Sequence, residues 1–335
     1  MLVLLTSTIP VITQAITPGY GEQLEGFEYP YPLKHYSFES QRIKLDMKYM
    51  DVPPKGLSNG QAVVLLHGKN FCGATWIDTI NTLSAQGYRI IAPDQIGFCT
   101  SSKPSNYQYT FQQLAENTHN LLKSLHINKA IFIGHSTGGM LATRYALMYP
   151  HAVSQLVLVN PLGLEDWKAK GVPWRSVDEW YARELKITAE SIRNYESNTY
   201  YGGKWKPEYD IWVDMLAGLN KGPGHKRVAW NSALIYDMIF TQPVYYELKD
   251  LQVKTTLMIG TADTTAIGSD IASPLVKARI GHYDDLGKKA ARLIPHSQLI
   301  EFNGLGHAPQ MQAPDQFHKQ LVIALQLTKQ DSHDE

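Results

Sequence analysis

The chain has 335 residues, 44% of them hydrophobic and 19% charged, the make-up of a folded globular protein with room for a sizeable core. Its 31 Lys and Arg are balanced by 31 Asp and Glu, a net charge of +0 that leaves no electrostatic footprint for nucleic acid or an anionic membrane surface. A neutral or apolar small molecule is the partner this composition favours, and the composition sets no oligomeric state.

The first stretch, "MLVLLTSTIPVITQA" (residues 1–15), is apolar, lacks acidic residues and ends in Thr13-Gln14-Ala15, which resembles a small-x-small cleavage site. It is too short to span a bilayer and is followed by the polar "TPGYGEQLEG", so it reads as a signal peptide and the protein as exported, periplasmic or secreted. Because no Lys or Arg precedes Lys34, a cytoplasmic enzyme with an apolar start is the alternative. No stable membrane insertion is expected elsewhere. After an N-terminal segment (16–34), "HYSFES" and "RIKLDMKYMDV" alternate in the manner of an antiparallel hairpin.

Short Val/Ile/Leu-rich runs then alternate with helical patterns, the signature of an α/β fold whose mostly parallel sheet is covered by helices on both faces. The runs are "AVVLLHG" (62–68), "RIIAPDQ" (89–95), "AIFIGHS" (130–136), "QLVLVNP" (155–161), "TTLMIGT" (255–261) and "LIEFNG" (299–304); with the hairpin they make an eight-stranded sheet. "TFQQLAENTHNLLKSL" and "GMLATRYALMY" carry apolar residues at helical spacing. The alternation stops after Pro161 for about 90 residues, too long for a plain loop. Within that insertion "VDEWYARELK", "YDIWVDMLAGL" and "VAWNSALIYDMIF" look helical and aromatics crowd in. The organisation is thus a core (35–161), an inserted helical cap (162–250), the rest of the core (251–328) and a polar tail (329–335). Most cap aromatics are expected to pack the cap itself and a few to line a pocket.

The stretch "IFIGHSTGGM" ends an apolar strand on Ser136, between Gly134 and Gly138, and leads into a helical pattern. A serine hydroxyl needs exposure, alignment and a base to become a nucleophile. A sharp strand-to-helix turn supplies the exposure, glycines two residues either side supply the space, and the helix N-terminus favours a nearby oxyanion. The base and its acid partner should come from the carboxyl ends of other strands. Asp263 follows "TTLMIG" and His307 follows "LIEFNG"; Asp166 and the Asp284/Asp285 pair are alternative acids, His282 and His296 alternative bases. For the oxyanion hole, one N–H is expected from Thr137 and the other from the loop after "AVVLLHG", at Lys69 or Asn70. His67 is expected to brace that loop, and the Lys69 side chain to face solvent. Cys72 and Cys99 match neither zinc nor C-x-x-C spacing, so no metal site is indicated; in an exported protein they could pair.

In this order, "LLHGKN", "APDQIGFCTSSKP", "IGHSTGGMLATRYALMYP", "GTADTTAIG" and "GLGHAPQMQAP" resemble the α/β-hydrolase superfamily, in its capped, epoxide-hydrolase-like and esterase-like branch, from about Tyr36 to about Leu327. The resemblance implies Ser136 as nucleophile, Asp263 as acid, His307 as base and oxyanion donors at Lys69 and Thr137, with no cofactor. In "DQIGFCTSS" Cys99 stands where the family commonly has glycine, which bears on the conformation of that loop. Epoxide hydrolases and haloalkane dehalogenases of this shape carry aspartate at the position of Ser136, so serine implies acyl transfer. The expected activity is hydrolysis of a small, moderately apolar ester or lactone. Amide, carbon–carbon and peroxy-acid chemistry can use the same triad, and a non-catalytic binding protein on this fold is the reading from another class.

Overall fold

A computed structural model describes residues 19–331, so the stretch 1–15 read as a signal peptide and residues 332–335 of the polar tail lie outside the described residues. Eight strands form one sheet: β1 (Leu33–Ser40), β2 (Ile43–Val52), β3 (Ala62–Leu66), β4 (Arg89–Pro93), β5 (Ala130–His135), β6 (Val153–Val159), β7 (Thr255–Gly260) and β8 (Ser297–Phe302). Their spatial order is β1-β2-β4-β3-β5-β6-β7-β8. β2 runs antiparallel to both neighbours, and the pairs from β4 to β8 are all parallel. Gln41 and Arg42 join β1 to β2 with φ of 51° and 62°, the two positive values that a two-residue hairpin turn of this twist requires.

The central strands are largely apolar because both faces are covered, with His135, Gln155, Thr255 and Thr256 among the few buried polar residues in them. Side chains alternate across the sheet. Val64, Leu66, Phe132, Leu156 and Leu158 enter one core cluster, while Val63, Leu65, Ile131, Ile133 and Val157 enter the other. Each such side chain contributes about 1.5–3 kcal/mol on burial, which is why these runs override any local preference for helix. The covering helices are α1 (Ile77–Ala85), α2 (Phe111–Ser124) and α3 (Thr137–Met148) in the first half of the core. In α2, Thr110 caps the start by accepting from the Gln113 N–H, and Leu114, Leu121 and Leu122 face the sheet.

Between β6 and β7 lie the four helices of the cap, α4 (Val177–Glu184), α5 (Ala189–Thr199), α6 (Asp210–Lys221) and α7 (His225–Thr241). Three of them fall where the sequence reads helical. The fourth, α5, is "AESIRNYESNT", which buries only Ile192 and Glu196 and so shows no apolar stripe. Its start is fixed instead by a reciprocal hydrogen-bonded cap between Thr188 and Ser191. Cap aromatics largely pack the cap: Trp180 stacks on Tyr236 at 4.4 Å and Tyr201 on Tyr209 at 3.7 Å. Polar pins hold α7 to the core loop after β4, with Tyr109 Oη donating to Asn231 Oδ1 at 2.5 Å and Trp230 Nε1 donating to the Ser105 carbonyl at 2.7 Å. The chain closes with α8 (Pro274–Lys277), α9 (Tyr283–Leu293), α10 (Pro309–Gln312) and α11 (Pro314–Asp331), the last running into the segment the sequence reads as a polar tail. Among the described residues no helix is long and apolar enough to cross a membrane.

Candidate active site

Ser136 sits between the end of β5 and the start of α3 with φ 57° and ψ −122°, a left-handed conformation that a non-glycine residue holds at a cost of about 1–3 kcal/mol. Backbone bonds on both sides impose it. Its N–H donates to the Val159 carbonyl, and its carbonyl accepts from the N–H groups of Gly139 and Leu162. The flanking glycines are steric necessities. A Cβ on Gly134 would lie 2.3 Å from the Gly138 carbonyl oxygen, and one on Gly138 would lie 2.1 Å from that of Leu66. Since α3 begins at Thr137, the Thr137 N–H is among the helix's first four, which have no intrahelical acceptor.

Asp263 and His307 come from the loops after β7 and β8. His307 Nδ1 donates to Asp263 Oδ2 at 2.6 Å, and both side chains are fully buried. Three further donors fix the carboxylate: Asn160 Nδ2 on Oδ2 at 2.9 Å, and the Thr265 N–H and Oγ1 on Oδ1 at 2.8 and 2.6 Å. Asn160, itself at φ 37°, also clips the Gly260 N–H and carbonyl at the end of β7. The imidazole is held in turn. His135 Nε2 donates to the His307 carbonyl at 2.8 Å, and the two rings lie 4.8 Å apart. Burial and the neighbouring His307 keep the pKa of His135 well below the usual histidine range, so it serves as a neutral donor. His307 Nε2 is buried and has no hydrogen-bond partner among the described residues. The alternatives from the sequence lie elsewhere. Asp166 bonds Tyr246 and the Lys168 N–H at the surface, Asp285 pairs with Lys289 on α9, and His282 bonds the Ala278 carbonyl on an exposed turn.

The loop after β3 passes directly beneath the serine: a Cβ on Gly68 would meet Ser136 Cβ at 3.0 Å. Lys69 and Asn70 follow. His67 braces this loop, with Nδ1 on the Gly68 carbonyl and Nε2 accepting from the Gln95 N–H, and burial lowers its pKa. Asp94 ties the same loop to the one after β4, accepting from the Gly73 N–H, the Thr100 N–H and Oγ1, and Tyr29 Oη. Cys99 takes φ 39°, the glycine-like conformation, and is disulfide-bonded to Cys72 with a Cα separation of 5.8 Å. Cys99 thus holds a positive φ without being glycine. A cross-link over 27 residues of chain contributes about 3–4 kcal/mol in the chain-entropy account.

Beside these loops, between core and cap, lies a cavity of about 160 Å³. The Lys69 side chain lines it, which corrects the expectation that it faces solvent: its ammonium is drawn inward by Glu184 at 3.3 Å and by the Tyr236 ring at 3.8 Å. Several residues of this site escape sequence reasoning. The Tyr200 ring lies tilted, 4.7 Å from the His307 ring, and its hydroxyl accepts from Asn70 Nδ2 at 2.9 Å, joining the cap to the loop after β3. Tyr195 is 39% exposed, with its open surface lining the cavity. Both tyrosines belong to α5 and its C-terminal end, the helix without an apolar stripe, and the sequence marks them only as members of the aromatic-rich cap, a few of whose rings are expected to line a pocket.

Once this geometry is in place, the comparisons with known proteins are consistent with it. Residues 61–207 match the family described as alpha/beta hydrolase fold. A probable hydrolytic enzyme of Pseudomonas aeruginosa PAO1, known from a crystal structure, is 60% identical, with a TM-score of 0.91 over 92% of this chain and 99% of its own. The chain is 25% identical over 81% of its length to a 2-hydroxy-6-oxo-6-phenylhexa-2,4-dienoate hydrolase of Burkholderia cepacia, covering 93% of that protein. A cis-3-alkyl-4-alkyloxetan-2-one decarboxylase of Xanthomonas campestris is 32% identical over 44% of this chain, which spans about half (54%) of that relative's length. The chain belongs to the α/β-hydrolase family and is a capped enzyme of that fold.

One buried acid has no role in this arrangement. Glu196 on α5 is 0% exposed, both its carboxyl oxygens lack hydrogen-bond partners among the described residues, and burial pushes its pKa from 4.5 up to about 8. Between about pH 4.5 and 8 the unfolded chain gives up this proton while the folded chain keeps it. Stability then falls as pH rises through that window, by up to about 1.4 kcal/mol per pH unit. Glu196→Gln should remove this decline. Thermal melts of both proteins from pH 5 to 8 are expected to diverge, with the variant the more stable at pH 8; parallel curves would contradict the assignment.

Proposed function

We propose that this enzyme is a serine hydrolase that cleaves small, moderately apolar carboxylic esters or lactones through an acyl-enzyme on Ser136. The observation that carries the reading is the His307–Asp263 pair. Nδ1 is committed to the carboxylate at 2.6 Å, so the tautomer leaves Nε2 as the basic nitrogen, buried and unpartnered, on a ring packed against the residue preceding Ser136.

Ser136 Oγ attacks the ester carbonyl as His307 Nε2 takes its proton, and Asp263 stabilises the imidazolium that forms. The carbonyl oxygen gains negative charge and is received by the backbone N–H groups of Lys69 and Thr137, the latter at the positive end of α3. Collapse of the tetrahedral intermediate breaks the bond to the leaving alkoxide, which takes the proton from Nε2. Water then attacks the acyl-enzyme with the same imidazole as base, releasing the acid and restoring Ser136. In a lactone the leaving alkoxide stays on the product. A relative is named a decarboxylase of an oxetan-2-one, a four-membered cyclic ester; a cyclic ester is its substrate, though its named reaction is decarboxylation and not the hydrolysis proposed here.

The test is a kinetic panel of short esters, lactones, amides and peroxy-acids. Ester or lactone turnover is expected, falling about 10⁴-fold in kcat for Asp263→Asn, which upsets the tautomer while preserving shape, and to background for Ser136→Ala. Undiminished turnover by either variant would defeat the assignment, and turnover of the amides or peroxy-acids alone would replace its substrate.

We further propose that the protein is exported. The Cys72–Cys99 bond supports an oxidising compartment, where such links persist. N-terminal sequencing of protein recovered from its native cells should begin at Ile16; an intact Met1 start would contradict cleavage after Ala15.

A further inference from the structure

Four charged side chains line the cavity, and three of them are cations: Lys69, Lys103 and Arg183, against Glu184. Glu184 is already engaged. Its Oε1 accepts from Arg183 Nη1 at 2.8 Å, and its Oε2 accepts from Lys69 Nζ at 3.3 Å and Ser232 Oγ at 2.5 Å. Two cations thus share one carboxylate. They also flank one ring: Lys69 Nζ lies 3.8 Å and Arg183 Cζ 5.4 Å from the centre of Tyr236. An ammonium has three donors and a guanidinium five, so both retain donors beyond Glu184. Asp270, half exposed and paired with Arg175 at 2.9 Å, also attracts Arg183 from 3.9 Å, so part of the Arg183 charge is met from outside the cavity.

The third cation has carboxylates of its own nearby. Lys103 is 4% exposed and donates to the carbonyls of Cys99 and Ser101 at 2.5 and 3.2 Å. Burial brings its pKa down to about 8; Asp94, Glu22 and Glu25 oppose that shift and Lys48 adds to it. A partly open recess whose lining carries more cations than carboxylates favours entry of an anion, and the attraction gained there is larger than at a fully exposed surface.

Resting on the reading of Ser136 as an acyl-transfer nucleophile, we propose that the cavity receives an ester whose acyl chain ends in a carboxylate, bound by Lys69 and Arg183. Lys69 then serves twice, with its backbone N–H at the oxyanion and its ammonium on the order of 6 Å further along the side chain. That spacing fixes the length of the substrate. The cavity volume of about 160 Å³ is close to that of an engineered cavity that holds benzene, room for about six heavy atoms. Two to four methylenes and a carboxylate fill it, with Ile187, Leu216 and Val228 beside the methylenes. The preferred substrates are therefore half-esters of dicarboxylic acids with about four to six carbons.

The experiment compares kcat/KM for methyl hydrogen glutarate with that for methyl 5-methylhexanoate, in which an isopropyl group replaces the carboxylate. The wild-type enzyme is expected to prefer the half-ester by about ten- to a hundredfold, the range for a charge-assisted pair. In Arg183→Gln and in Lys69→Met, which keeps the backbone donor, the ratio should fall towards one whatever happens to absolute rates. A wild-type ratio of one or less, or a ratio unchanged in both variants, overturns the proposal. If neither ester is hydrolysed, the reading of Ser136 is what has failed. The anion site is then read by calorimetric titration of the wild-type protein with glutarate and with glutaramide. Glutarate should bind at least about tenfold tighter, and equal affinity, or no binding of glutarate, overturns the site.

Discussion

At position 138 there is no room for any side chain: a Cβ there would lie 2.1 Å from the Leu66 carbonyl oxygen at the end of β3. The first turn of α3 is pressed against the β3 backbone, and the rest of the site follows from that approach. It brings the Thr137 N–H beside the loop that carries Lys69. It forces the turn so tight that Ser136 must take a positive φ and project from it. It also requires Gly134, two residues before Ser136, where a Cβ would meet the Gly138 carbonyl oxygen at 2.3 Å. The strain at Ser136 is sustained because its N–H and carbonyl are both bonded to neighbouring chain segments.

The same economy of space recurs at the other strand ends. A Cβ on Gly260 would lie 2.2 Å from the Gly306 carbonyl oxygen, so the Asp263 and His307 loops are interleaved and the 2.6 Å bond between them has little freedom. The cap closes over this arrangement through α5. The Thr199 carbonyl accepts from the His307 N–H, Tyr200 packs on the imidazole, and Tyr195 opens onto the cavity. On the other side, the Asp94 hydrogen bonds and the Cys72–Cys99 disulfide fasten the loops after β3 and β4. The geometry of the candidate site thus depends on close backbone approaches, secured by side-chain bonds from Asn160, Thr265, His135 and Asp94.

Such contacts leave clear marks in a sequence, which is why the core was legible. The continuously buried β3, β5 and β7 and the nearly continuous β6 are consequences of a sheet covered on both faces, and the glycines around Ser136 are consequences of the close approach. The cap was legible in outline only. Helix α5 is polar along most of its length and is held by Thr188, Ser191 and the fit of its end against His307, none of which is periodic. Asn160, Glu184 and Tyr200 meet Asp263, Lys69 and Asn70 across 103, 115 and 130 positions of chain, and contacts at such distances carry no local signal. The inward turn of Lys69 is of the same kind, since Glu184, 115 positions away, determines it.

The account turns on Ser136 being the nucleophile that this packing presents and His307 activates. A fluorophosphonate probe reports that directly, because it bonds only to an activated hydroxyl, and the modified peptide can be identified by mass. The account predicts one equivalent of label per chain, located on Ser136, and a labelling rate reduced at least about 10³-fold in His307→Ala. Absence of label on the native protein, or label on a different serine, would contradict it.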